Sequence, residues 1–103
     1  MLDTSVLSKL DRSQIETIVR GSLAALGRER GRLEFEELAA DADIYEAIDS
    51  FAVVELLLQT ESDLEAAVGR YTPLADELVL DSDKSPLRSL SRWIDHVEVA
   101  VNG

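Results

Sequence analysis

Asp49-Ser50-Phe51-Ala52-Val53-Val54-Glu55-Leu56-Leu57-Leu58 reads as the opening of a helix, and Gln59-Thr60-Glu61-Ser62-Asp63-Leu64 continues it. The run holds no Gly or Pro, and its centre from Ala52 to Leu58 is apolar except for Glu55, which predicts a helix over Ser50 to Leu64. Asp49 or Ser50 supplies an oxygen for its first free amides. Val54 and Leu57 are expected to face inward, against Ile18, Leu26, Ile94 and Val97. Phe51, Glu55, Leu58 and Ser62 stand at i, i+4, i+7 and i+11, so they share one face, expected to look outward beside Ser50. Ala52 and Gln59 lie alongside that face, with Glu61 and Asp63 at its rim.

Outward from this helix the pattern stays helical. Ile15, Ile18, Val19, Ala25 and Leu26 form a stripe that predicts a first helix over Ser13 to Leu26. Ser13 with Glu16 fits a capping box, and Gly27 fits the end. Met1 to Asp11 reads as a frayed or partly helical lead-in. Arg28 to Ile48 reads as a long connection with one helical turn, pinned by Leu38, Ile44, Tyr45 and Ile48. Gly69 to Ser85 reads as a second, with a short helix over Leu74 to Leu80 entered at Thr72-Pro73. Ser85 or Pro86 opens the last helix, which runs to about Ala100 on Leu87, Leu90, Ile94, Val97 and Val101. Val97-Glu98-Val99-Ala100-Val101 alternates as a strand would, but reads better as that helix's end. The expected fold is all-α: three long helices, one short, long loops, and a single domain over residues 1–103.

Composition narrows the function classes. With 103 residues the chain is short for a domain that encloses a large active site. Its 21 acidic and 10 basic residues give a net charge of -11. Nucleic acid and anionic membrane would be repelled, whereas basic protein surfaces would be attracted. There is no cysteine, so disulfides, thiol catalysis and cysteine zinc sites are out. No stretch reads as a signal peptide or a membrane span, and the cytoplasm is the expected location. His96 is the only histidine and is expected to be a surface or helix-end residue, not a ligand. Asp81 and Asp83 look like part of a calcium loop, but its central Gly and closing Glu are missing. No metal site, phosphate loop or nucleophile with a positioned base is legible, and the chain is not expected to be an enzyme.

The segment Asp49-Ser50, Glu55-Leu56, then Glu61, Asp63 and Leu64 resembles the phosphopantetheine-attachment segment of the acyl carrier protein family. Asp41-Ala-Asp-Ile-Tyr-Glu-Ala-Ile ahead of it, and Leu90-Ser-Arg-Trp-Ile-Asp-His-Val in the last helix, fit the same outline. Four departures mark a divergent member: Phe51 for the usual Leu, Ala47 where Gly is common, Ala52 where an acid is common, and a longer stretch from Leu64 to Leu90.

The resemblance implies a four-helix carrier bundle, with Ser50 as the covalent attachment point of 4'-phosphopantetheine and Asp49 as its motif neighbour. It implies modification by a phosphopantetheinyl transferase using coenzyme A and Mg2+. Partners would be acyl- or aminoacyl-loading and -transferring enzymes with basic surfaces. These would dock on Phe51, Ala52, Glu55, Leu58, Gln59, Glu61, Ser62 and Asp63, with the carrier a monomer in a specialised biosynthetic pathway. Fatty acyl, hydroxyacyl, polyketide, amino-acid and peptide cargoes all remain compatible. The alternative is an acidic helical adaptor on the same fold without a prosthetic group.

Overall fold

The first helix begins at a capping box two residues earlier than the spacing suggests. In the computed structural model, which describes residues 10–102, Asp11 accepts from the Gln14 amide and Gln14 accepts from the Asp11 amide, both at 2.9 Å. Asp11, not Ser13, is therefore the cap of α1, Arg12–Arg30. The expected lead-in lies outside the described residues as far as residue 9. Leu10, which follows, joins the core and exchanges two hydrogen bonds with the Asn102 side chain.

Gly27 does not end α1. It is buried inside the helix, and the helix runs on to Gly31, whose φ of 70° is the left-handed conformation glycine favours. Gly27 serves a different purpose. A Cβ there would run into the Arg32 carbonyl oxygen and stand 2.8 Å from the Phe35 Cβ. Its bare backbone lets the 3-10 turn Leu33–Glu36 fold back and bury Phe35.

After that turn come α2, Ile44–Ala47, capped by Asp43, and α3, Ser50–Val68, capped by Asp49. α3 is a turn longer than Leu64 and ends at Gly69, φ 77°. The short helix of the second connection, α4, Glu77–Leu80, starts at an Asp76 cap and not at Thr72-Pro73. Ser85 and Pro86 open a 3-10 turn, Pro86–Arg88, and the last helix proper, α5, is Leu90–Asn102. The stretch from Val97 to Val101 is helical, as expected.

The described residues are thus all-helical, with three long helices, two of four residues each, and no strand. One core cluster draws on every long helix, with Ile15, Leu23, Leu56, Leu64, Trp93 and Val97 among its members. α1 packs on α3, on α5 and on the Leu33–Glu36 turn. The first connection also reaches α5. The Leu90 and Ser91 amides donate to the Ala42 and Ala40 carbonyls at 2.9 and 2.8 Å, which satisfies donors a helix start leaves free. Arg12 pairs with Asp95 and Glu98 across α1 and α5. No helix among the described residues is long and apolar enough to cross a membrane.

Candidate functional site

Ser50 is the first residue of α3 and is exposed. Asp49 does the capping: its carboxylate accepts from the Ala52 amide at 2.8 Å, and its carbonyl accepts from the Val53 amide at 3.0 Å. This leaves the Ser50 hydroxyl out of the cap, with no partner among the described residues. The Ser50 and Phe51 amides likewise find no protein acceptor there. A free hydroxyl therefore sits at the positive end of a 19-residue helix, beside two free donors.

The inward stripe of α3 is Val53, Leu56, Leu57, Thr60, Glu61 and Leu64. Leu57 is buried as expected. Val54 is not: it is 50 % exposed, because the buried stripe is centred one residue earlier, on Val53 and Leu57 at i and i+4. On the outer face Phe51 is 79 % and Leu58 61 % exposed, so Phe51 does not fold back to close the core. Glu55, Gln59 and Ser62 are exposed beside them.

Two residues expected on that face are elsewhere. Ala52 is buried. Glu61 is 5 % exposed and turns inward, where it accepts from the Leu74 amide at 2.7 Å and the Tyr71 hydroxyl at 3.0 Å. The bond to Glu61 holds the Tyr71 phenol above its ordinary pKa, with desolvation adding to it. Asp63 is half-buried and accepts from Ser22 and Gln59, at 2.9 and 3.0 Å. It is a bridge between α3 and α1 more than a rim charge.

The structure adds residues that local spacing cannot reveal. Glu29 of α1 lines an open groove with Glu55, Leu58, Gln59 and Ser62. Its neighbour Arg30 reaches across to Glu55 at 3.2 Å and to Asp49 at 3.9 Å, so one cation already lies on the acidic face near Ser50. On the other side of Ser50 is a groove of about 270 Å3, lined by Tyr45, Ile48, Ser50, Val53, Val54 and Leu80. The Tyr45 hydroxyl donates to the Leu80 carbonyl at 3.0 Å, joining two of its walls. The Arg88 guanidinium lies 4.7 Å from the centre of the Tyr45 ring and pairs with Asp43 at 3.1 Å. Tyr45 and Ile48 were expected only to pin the first connection, and Val54 could have been placed outward by centring the stripe on Val53, Leu57 and Leu64.

Comparison of the chain with protein-family models, with curated proteins and with solved structures finds no match. The chemistry of the site is therefore argued from its own residues.

Among the described residues no group of three or more His, Asp or Glu side chains is arranged to hold a metal. His96 is half-buried in α5 and stacks on Trp93, with ring centres 5.5 Å apart. Asp81 accepts from the Asp83 and Lys84 amides at 2.8 and 3.0 Å, which lowers its pKa and makes it a turn residue. What the site offers is an accessible hydroxyl, an apolar groove on one side, and an exposed apolar stripe with carboxylates on the other.

Proposed function

We propose that this chain is a carrier that bears 4'-phosphopantetheine on the Ser50 hydroxyl and presents an acyl or aminoacyl group to partner enzymes. One observation carries the reading: Asp49 performs the capping that Ser50 would otherwise perform, so the Ser50 hydroxyl is left exposed and unpaired at the start of α3. A serine serving only as a cap would have its oxygen committed to an amide two or three residues on.

The residues present fit such a group. The two free amides and the helix dipole favour a phosphodiester next to Ser50. When bound, the group supplies a thiol, which the cysteine-free chain lacks, and that thiol holds the cargo as a thioester. The chain's own part is to hold the attachment point and to be recognised. Phe51, Val54 and Leu58 supply exposed apolar contact next to Ser50, which is where binding energy concentrates. Glu55 and Glu29 supply charge that attracts basic partners.

The test is incubation with coenzyme A, Mg2+ and a broad-specificity phosphopantetheinyl transferase, read by intact mass. One arm should be added, and none to Ser50→Ala. Phe51→Ala and Glu55→Lys should slow the transfer and leave stability near its starting value. An unmodified chain would favour the second reading, an acidic adaptor without a prosthetic group, to which the same exposed Phe51, Val54 and Leu58 would give a partner-binding surface.

A further inference from the structure

The fold has engaged every carboxylate between Asp49 and Asp63. Glu61 is turned inward onto Leu74 and Tyr71. Asp63 is bound to Ser22 and Gln59. That leaves Asp49 and Glu55, both exposed, and these two share one cation, Arg30.

Arg30 is the last residue of α1, on a different helix from the acids it meets. Its guanidinium lies 3.2 Å from Glu55 and 3.9 Å from Asp49, while Arg28 and Arg32 turn away to Glu36 and Glu34. The Arg30 side chain is 33 % exposed and the two carboxylates more so, which makes the pair weak and quick to open in water. A chain with a net charge of -11 attracts basic surfaces at long range. At the point of contact beside Ser50, the seat for a cation is already filled.

We propose that Arg30 is a specificity-determining residue: it occupies from within the seat between Glu55 and Asp49 that a guanidinium or ammonium of a docking partner would take, and the partner must displace it. Charge alone then gains nothing at this seat, because one cation is exchanged for another. A partner gains only by adding apolar contact with Phe51, Val54 and Leu58, which are exposed on the same helix. The partner that fits is an amphipathic helix with a basic residue next to its apolar ones, and a purely polybasic surface is turned away. That this face docks partners rests on the function proposed above; the displacement of Arg30 does not depend on an arm at Ser50.

The test is titration of the unmodified protein with a synthetic amphipathic helix of leucine and lysine, followed by the amide NMR signals of α3 at low salt. Wild type should bind it with the largest shifts between Phe51 and Leu58. Arg30→Gln should tighten binding about two- to fivefold, the worth of an exposed ion pair, and steepen its loss as salt is added. Arg28→Gln changes the net charge equally but releases Glu36 instead, so it should tighten binding clearly less. In a Glu55→Gln background the gain from Arg30→Gln should shrink. An oligolysine of equal charge should leave the Phe51 to Leu58 signals of the wild type in place. Equal gains from Arg30→Gln and Arg28→Gln would reduce the effect to long-range charge and overturn the proposal. So would no gain from Arg30→Gln, a gain undiminished by Glu55→Gln, shifts that fall away from α3, or oligolysine shifting α3 as strongly as the amphipathic helix. Failure of Ser50 to accept an arm would leave each of these outcomes as it stands.

Discussion

Phe35 holds the first long connection of this chain, residues 31–49, whereas Glu61 holds the early part of the second, residues 69–89. The first is fixed by packing. Phe35 is buried against Gly27, Ile44 is buried, and two of its carbonyls receive the opening amides of α5. The second is drawn onto α3 by a carboxylate that accepts two hydrogen bonds, and its next stretch is nearly all exposed. The difference is between a connection seated by side chains against α1 and one that is first reached by a carboxylate of α3 and farther on buries Val79 and Leu87. Packing involves many atoms at once and yields only when the core does. A bond to a single acceptor can be made and broken locally.

Breaking the first connection should have the largest effect. Phe35→Ala removes a buried aromatic ring and is expected to destabilise the whole domain by about 3–5 kcal/mol in chemical denaturation. A loss below about 1 kcal/mol would mean that packing at Phe35 does not hold the first connection, and the contrast would collapse.

The second connection should yield more gently. Glu61→Ala leaves the Leu74 amide without its acceptor and should lower stability by about 1–3 kcal/mol. Its mark should be local, with faster amide exchange over residues 71–75. Exchange that rises equally in α1 and α5 would show that Glu61 supports the whole core instead.

The smallest effect is a titration. Tyr71 is held above the ordinary pKa of 10.0, first by its bond to Glu61. A phenol raised in the folded state contributes stability that is present below pH 10.0 and is lost as pH rises through its folded pKa. Absorbance titration of Tyr45→Phe, in which Tyr71 is the only remaining tyrosine, should show a midpoint above that of free tyrosine. Adding Glu61→Gln should lower it. Equal midpoints with and without Glu61 would remove the hydrogen bond from the account.

Much of this was legible in the sequence, and the parts that were not share a cause. Periodicity locates α1, α3 and α5, because each buries a stripe that recurs at helical spacing. Local composition also points to Ser50 at the head of an apolar helix. Gly27 is misread because the same residue can end a helix or let another strand of backbone close on it. The deciding atoms, in Arg32 and Phe35, lie one turn and more away. Glu61 is misread for the same reason. An acid near the end of a helix reads as solvated, until the chain returns and places the Leu74 amide and the Tyr71 hydroxyl on it. Glu29 and Arg30 come beside Glu55 only through the packing of α1 on α3. Local spacing reports stripes and caps; it does not report which segment comes back to cover them.

The central claim is that the Ser50 hydroxyl is exposed in order to be modified. Intact mass of the protein purified from its native host tests this most directly. The account predicts a chain heavier than its sequence by one phosphopantetheine, with or without cargo, and a Ser50→Ala chain at the mass of its sequence alone. A wild-type chain at the bare sequence mass, or an arm that persists in Ser50→Ala, would contradict it.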